Sequence, residues 1–373
     1  MFFSDYQEEL IEKCVKILQN EKKAIKNDFT KFNTIYVGNI EPNKVNVEIQ
    51  LMYPEMAKTL NFDLNKFFKD RMYNFEKTLE YQIWHHSNIQ DDAPFIGIYE
   101  MDFGVYTMAY SQFGMSTAWV NNDYPALSKP IINDHKDLEK LKIPDFFTTG
   151  YMPQLIEDYH AFKENLKGRL NVGIRKLFHG FSQLASDLYG IENFYSDMLT
   201  DPEFIQDLFD FSWNYISEWT KGWEKLHEQP FGMLHLAEDP IDTVSMIRRE
   251  MYVEQILPWH IKCGENFDSI HWHSCGAIDN IMEDLKLIPN LELVEIGPAT
   301  DAEKAAEIFQ NTNVKFYKCP NAITEILSAD DKARENLVLN VLEASKKVPI
   351  KVLIETPSLD KGIKLLETFR KYQ

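Results

Sequence analysis

The feature that most constrains the fold of this chain is an alternation of short apolar strands and amphipathic helices that begins at Pro94. Repeated strand-then-helix order predicts parallel strands, and about eight such units close a (β/α)8 barrel, the α/β fold we expect here. A doubly wound open sheet is the alternative, which is disfavoured because no glycine-rich dinucleotide turn follows any strand. The predicted strands are Pro94–Met101, Leu170–Phe178, Phe231–Ala237, Ser269–Ser274, Leu291–Ile296, Val314–Lys318 and Ile350–Ile354, with a further one near Ser116–Val120.

The first 90 residues have a different pattern. Apolar side chains at helical spacing predict one helix over residues 4–27 and another over Leu64–His86. We therefore expect two parts, a helical N-terminal extension over residues 1–90 that packs on the barrel, and the barrel itself over residues 91–373. The extension could also carry a lid or a dimer surface, so a homodimer is one of the expected assemblies.

Composition narrows the classes of partner. The chain has 58 acidic against 39 basic residues, a formal net charge of −19, which repels phosphate backbones and anionic lipid surfaces. We therefore expect neither nucleic acid nor membrane as a partner. The N-terminus does not resemble a signal peptide, and no apolar stretch is long enough to span a bilayer. Four scattered cysteines do not suggest a disulfide framework, so a cytoplasmic location is expected.

The segment from Asp268 to Gly276 carries the most chemical information. Strand side chains alternate, so His271, His273 and Cys275 share one face, and the last two stand together at the carboxyl end of the strand. A thiolate beside an imidazole selects Zn²⁺ among the available ions. The spacing alone also fits a buried strand with hydrogen-bonded histidines and an inert thiol.

Two other predicted strands end in candidate ligands. Cys319 follows one of them, and Glu238 and Asp239 follow another. The strands of a barrel all end at the same mouth, so Glu238 or Asp239 could surround one ion together with His273, Cys275 and Cys319. Alternatively, Cys319 is a small buried hydrophobe, and the two carboxylates cap the helix that follows them.

Candidate substrate-binding residues lie at further strand ends. Tyr99, Glu100 and Asp102 stand at the end of the first predicted strand, and His179 lies near the end of the next, just before Gly180. Asp239 is a further candidate for contact with a substrate. Surface or capping polar residues, and a histidine that merely packs, are the alternatives.

The string His273-Ser-Cys-Gly276 resembles the His-x-Cys-Gly element of corrinoid-associated methyltransferases in the uroporphyrinogen decarboxylase superfamily. We judge the resemblance to cover roughly residues 50–373. It implies a barrel and a zinc ion held by His273, Cys275 and a later cysteine. That later cysteine usually precedes the Glu-Thr-Pro element, but residues 349–354 contain none, which leaves Cys319, a carboxylate, or weak or absent zinc binding. Other segments that look familial are Leu141–Asp145, Phe181–Gly190, Asp201–Glu203 and Glu355–Pro357.

The resemblance implies methyl transfer between a corrinoid protein and a small thiol, ether or amine, with zinc activating the heteroatom. His273 and Cys275 are then catalytic, with Glu238 beside them. The corrinoid would arrive on a partner protein, because the corrinoid-ligating Asp-x-His-x-x-Gly motif is absent. Decarboxylation of a porphyrinogen is the alternative activity, disfavoured by a chain with only seven arginines. A barrel that binds a corrinoid or metabolite without catalysis is the alternative outside the enzyme class.

Overall fold

A parallel sheet of six strands forms the centre of the molecule. The computed structural model describes residues 3–20, 44–101, 107–120, 123–127, 129–176, 179–239, 247–298 and 300–373. The strands are β1 Asn46–Leu51, β2 Ile98–Met101, β3 Thr117–Ala118, β4 Ala126–Leu127, β5 Asn171–Ile174, β6 Met233–Ala237, β7 Ser269–His273, β8 Leu291–Ile296, β9 Lys315–Lys318 and β10 Ile350–Thr356. The order of the six strands in the sheet is β1-β10-β9-β8-β7-β6.

Two more parallel strands extend this arrangement to eight. β2 pairs with β5, and His179, just beyond β5, forms an isolated parallel bridge with Ala237 of β6. At the other edge of the sheet, the described residues form no strand ladder with β1, although Asp92 N donates a backbone hydrogen bond to Val47 O at 2.9 Å. The carboxylates of Asp91 and Asp92 accept hydrogen bonds from the backbone N–H groups of Ile49 and Val47 on β1. The strand order is that of the (β/α)8 fold predicted above.

The helices that follow or flank these strands carry their own end signals. For example, Asp70, Asp134, Asp301 and Asp330 each cap a helix by accepting a backbone N–H within its first turn. The helices are α1 Asp5–Asn20, α2 Tyr53–Leu60, α3 Leu64–Lys69, α4 Arg71–Asn88, α5 Thr107–Ser111, α6 His135–Lys140, α7 Met152–Leu166, α8 Phe181–Tyr189, α9 Ile191–Thr200, α10 Pro202–His227, α11 Arg249–Met251, α12 Leu257–Asn266, α13 Met282–Leu285, α14 Ala302–Phe309, α15 Asp331–Ser345 and α16 Leu359–Tyr372, with π-helical turns at Tyr252–Ile256 and Ala322–Leu327.

The two faces of the sheet have different compositions. On the outer face, side chains such as Trp272, Val294 and Phe316 belong to the large apolar core that the helices cover. On the inner face, Leu293 and Tyr317 form a separate small cluster with Leu353. The rest of the inner face is rich in polar groups, which include His235, His271 and His273. The strand ends therefore present ionisable side chains to a mouth rather than to the helical core.

The N-terminal region departs from its prediction in one respect. Strand β1 lies within the segment expected to be helical, and it pairs with β10 along its whole length. The helices α1, α2, α3 and α4 make up most of the rest of the described extension. The boundary at residue 90 stays a prediction. The expected strand near Ser116–Val120 is only the short β3, which forms an antiparallel pair with β4 outside the parallel sheet.

One of the two predicted N-terminal helices is also divided in the structure. The helix expected over Leu64–His86 is broken at Asp70, whose side chain accepts a hydrogen bond from Tyr73 N and so starts α4.

Among the described residues, no helix combines the length and apolarity that a membrane span requires.

Candidate metal centre

Three side chains from the ends of two neighbouring strands meet at the carboxyl edge of the sheet. The pairing of β6 with β7 sets Ala237 opposite His273, and Glu238 N donates a hydrogen bond to His273 O at 2.9 Å. Asp239 and Cys275 occupy matching positions, because each is the second residue after the end of its strand, β6 and β7 respectively. The Nε2 atom of His273 lies 3.3 Å from Asp239 Oδ1 and 3.4 Å from Cys275 Sγ.

These three ligand atoms have the geometry of a metal-binding group. An imidazole nitrogen of His273, a carboxylate oxygen of Asp239 and the sulfur of Cys275 all lie within 4.8 Å of one another. His273 is buried, Asp239 is half-buried and Cys275 is exposed, so the group is supported from below and open on one side. Three protein ligands with an open side are typical of catalytic rather than structural zinc sites.

The other imidazole nitrogen of His273 is fixed by a carboxylate on the next strand. His273 Nδ1 lies 2.5 Å from Glu295 Oε2, and both side chains are buried. A carboxylate that accepts a hydrogen bond from one imidazole nitrogen is the usual support of a metal-ligating histidine. It holds the ring proton on the nitrogen that does not face the metal, which is Nδ1 here. When the imidazole is neutral, as a metal ligand must be, the lone pair of Nε2 then faces Asp239 and Cys275.

Electrostatics in the cluster also favour a cation. Burial alone would lower the pKa of His273, but Glu295, Asp239 and Cys275 together raise it well above its ordinary value. Burial raises the pKa of Cys275 to about 11, even though His273 acts in the opposite direction. Burial would raise the pKa of Asp239, yet the His273 imidazole 3.3 Å away lowers it. One imidazole therefore holds a positive charge among acidic groups, and a divalent cation would stabilise the same groups more strongly.

The residues present fit a zinc ion. Asp239 Oδ1 is buried and makes no hydrogen bond of good geometry within the described residues, although His273 lies within ion-pair distance. An oxygen of this kind is a natural ligand atom. The combined nitrogen, oxygen and sulfur donors match the ligand types that zinc takes in proteins.

Cys319, which was predicted as the third ligand, is not part of this group. The third member is Asp239, which was predicted both as a possible ligand and as a substrate contact. Cys319 is half-buried, and burial, with Glu295 and Glu355 nearby, raises the pKa of its thiol well above the ordinary value. The pKa of Cys275 is raised as well, so it is position that separates the two thiols, since Cys319 lies outside the group.

Glu238, predicted to be catalytic, points away from His273 and Cys275. Its fully buried carboxylate accepts hydrogen bonds from the backbone N–H groups of Ser182 and Gln183, at 3.1 and 3.2 Å, and from the Ser182 hydroxyl. These N–H groups belong to the first turn of α8, where a negative charge is favourable. The structure therefore gives Glu238 the role of an anchor that ties the end of β6 to α8.

The predicted substrate-binding residues have different locations. The Tyr99 side chain is buried away from the mouth, where its hydroxyl donates to Asn74 Oδ1 at 2.8 Å and its ring contacts Phe75 and Phe162. Alternation along β2 places Glu100 on the opposite face from Tyr99. Asp102 lies outside the described residues. A substrate-contacting role for Glu100 stays a prediction.

His179 lies beside the strand that carries Asp239. Its backbone bridges to Ala237, and its ring makes an edge contact with Tyr110 at 5.0 Å between centroids. Burial, together with nearby Arg175, lowers the pKa of His179 to about 3, against the opposing effect of Asp239. The imidazole is therefore neutral, and its role in binding substrate stays a prediction.

Sequence reasoning did not identify Glu295. The available signal was its position as an inward-facing acidic residue near the end of the predicted strand Leu291–Ile296, next to the strand that carries His273. Charged residues inside a barrel are expensive to bury and so point to function or to a partner charge.

The comparisons with known proteins agree with this fold. The family model described as uroporphyrinogen decarboxylase (URO-D) matches residues 61–318. No curated protein matches the chain. Among solved structures, a methyltransferase from Methanosarcina mazei is similar with a TM-score of 0.65, at 12% sequence identity over 97% of this chain and 98% of that one. At this identity the similarity shows the fold alone.

The strand order, the convergence of ligands at the carboxyl ends and the extent of the family match define a (β/α)8-type enzyme fold with a candidate metal centre. The chain belongs to the uroporphyrinogen decarboxylase (URO-D) family.

Proposed function

We propose that this protein is a zinc-dependent methyltransferase that moves a methyl group between a corrinoid protein and a small thiol, ether or amine. The observation that carries the proposal is the group formed by Asp239, His273 and Cys275, which is open on one side at the carboxyl end of the sheet. The structural similarity to a methyltransferase is consistent with this reaction.

Asp239, His273 and Cys275 would hold the zinc ion, which when bound acts as a Lewis acid on the heteroatom of the substrate. The two anionic ligands offset the charge of the ion, so the centre is compact and nearly neutral before substrate arrives. Glu295 holds the proton of His273 on Nδ1 and keeps Nε2 available. Glu238 fixes the end of β6, so that Asp239 stands over His273.

The charge around the centre favours methyl transfer over porphyrinogen decarboxylation. Asp239 and Glu295 line it, and Glu355 lies near enough to affect the electrostatics of Cys319. A substrate with many carboxylates would be repelled by this arrangement, whereas a thiol, ether or amine of low charge would not. Arg175 adds a positive charge to this region, which acts to lower the pKa of Glu355 and the pKa of His179.

The test is a spectroscopic assay with methylcobalamin as the model corrinoid and a panel of small thiols. A thiolate attacks the methyl carbon, the carbon–cobalt bond breaks toward cobalt, and a thioether and reduced cobalamin form. In the reverse direction, reduced cobalamin attacks a methyl ether or methylamine, and the leaving oxygen or nitrogen takes a proton. We expect turnover in at least one direction, with loss after removal of zinc by a chelator and recovery on adding zinc back.

Two results would contradict the proposal. Metal-free enzyme that reacts at the undiminished rate would leave zinc without a catalytic role. Decarboxylation of uroporphyrinogen, with no change in methylcobalamin under any condition, would assign the chain the other activity of its family.

A further inference from the structure

The pairing of β7 with β8 contains an irregularity directly below the metal centre. Ile270 pairs with Leu291, but the next residue, His271, pairs with Leu293, so Glu292 is an extra residue on β8. With an unbroken register, Val294 would stand opposite His273. Val294 belongs instead to the core that faces the helices. The bulge shifts the register by one residue and brings Glu295 opposite His273.

The contact between His273 and Glu295 determines which imidazole nitrogen carries the proton. His273 Nδ1 and Glu295 Oε2 are 2.5 Å apart, and a carboxylate can only accept there, so Nδ1 carries the proton. In a neutral imidazole the other nitrogen then has the lone pair. That nitrogen, Nε2, is the one that faces Asp239 Oδ1 and Cys275 Sγ. The carboxylate thus selects both the tautomer and the orientation of the ring.

We infer that Glu295 is the positioning residue of this centre, placed by the bulge at Glu292 so that His273 binds the metal through Nε2. The inference rests on the metal site of the proposed function. Glu295 contacts no substrate in this role and acts only through His273.

The same two strands provide a matched control. One layer below, Glu292 lies 3.7 Å from His271 Nε2 and also accepts from Ser269 Oγ at 2.6 Å and Lys315 Nζ at 3.0 Å. This is again a glutamate of β8 beside a histidine of β7, but neither is in the metal-binding group. Glu292→Gln therefore removes an equivalent charge that does not contact His273, and it keeps the side-chain size and the residue count that make the bulge.

The experiment compares zinc affinity in the full-length wild type, Glu295→Gln and Glu292→Gln by competition with a chromophoric chelator. Loss of a partner behind a ligating histidine weakens metal binding about 10- to 100-fold. We expect a loss of that size for Glu295→Gln and the wild-type affinity for Glu292→Gln, with all three proteins giving the same far-UV circular dichroism.

A second measurement does not depend on a variant. Nitrogen-15 NMR of the imidazoles in the zinc-loaded wild type is expected to show His273 with a protonated Nδ1 and a metal-bound Nε2. Metal bound through Nδ1, or equal zinc affinity in Glu295→Gln and wild type, would overturn the role of Glu295. A wild type that binds no zinc at all would instead refute the metal site itself.

Discussion

The upper and lower ends of strands β7 and β8 carry the same pair of residue types in two different settings. At the lower end His271 stands beside Glu292, and at the upper end His273 stands beside Glu295. The lower pair also has Lys315 and Ser269, which donate hydrogen bonds to the glutamate. The upper pair has Asp239 and Cys275 instead, and neither of these supplies a positive charge.

The two settings differ in charge balance. At the lower end burial lowers the pKa of His271, and His271 at 3.7 Å together with the hydrogen bonds from Ser269 and Lys315 lowers the pKa of Glu292. The carboxylate therefore has its counter-charge in Lys315. At the upper end the acidic groups outnumber the single imidazole, and they raise the pKa of His273 well above its ordinary value. A histidine–glutamate pair is thus structural where a lysine completes it, and a candidate metal site where further acidic groups surround it.

The largest expected effect comes from breaking the upper group at its exposed ligand. Cys275→Ser should lose nearly all bound zinc, and the methyl-transfer rate should fall about 10³-fold, because a catalytic metal contributes several kcal/mol and about 1.4 kcal/mol corresponds to a factor of ten. Metal analysis and the methylcobalamin assay measure the two effects. Unchanged circular dichroism is the control for folding, and full metal content in this variant would exclude Cys275 as a ligand.

The next prediction distinguishes the two candidates for the third ligand. Asp239→Asn should weaken zinc binding by at least about 100-fold, since loss of a direct ligand exceeds the 10- to 100-fold effect of an outer partner. Cys319→Ser should leave the affinity close to wild type, because that thiol lies outside the group. Chelator competition measures both. The reverse pattern would restore the prediction made from the sequence, with Cys319 as the ligand.

Much of this fold was predictable from periodicity. Seven of the predicted strands correspond to strands of the structure, namely β2 and the six strands from β5 to β10. β1 was missed, although its apolar residues Val47, Ile49 and Leu51 alternate strictly with polar ones over six positions. The strand is isolated between helical segments, so the strand-then-helix rhythm that identified the others gave no indication of it.

The site was predictable in part, for a physical reason. His273 and Cys275 lie two residues apart on one strand, so local alternation brings them together without knowledge of the fold. The identity of Asp239 as the third member depends on which way the chain turns after β6, where Glu238 is hydrogen-bonded to α8, a segment distant in sequence. Glu295 depends on a bulge, which shifts register by one residue and leaves no signature in alternation.

A third prediction tests that anchor. A Cβ at position 180 would lie 2.0 Å from Glu238 Oε1, so Gly180→Ala must displace the buried carboxylate from the start of α8. Overpacking of this kind costs about 1–3 kcal/mol of unfolding free energy, to be measured by denaturant unfolding. Zinc affinity should fall as well, because Asp239 is the next residue along the chain. Wild-type stability and affinity together would mean that Glu238 does not hold Asp239 in place.

The smallest expected effect is at the lower pair. Glu292 is partly exposed, so solvent and salt screen its interactions, and Glu292→Gln should lower the unfolding free energy at neutral pH by about 0.2–1 kcal/mol. Its pKa is lowered in the folded protein, chiefly by His271 at 3.7 Å, so the ionised form stabilises the fold above the unfolded pKa of about 4.3. That contribution disappears as the pH falls through the folded pKa. The difference between wild type and Glu292→Gln should therefore shrink below about pH 4, and added salt should reduce it at neutral pH. Urea unfolding at a series of pH values measures this. A difference that persists in strong acid would mean that Glu292 acts by packing rather than by charge, and the contrast with the upper pair would then not be one of charge balance.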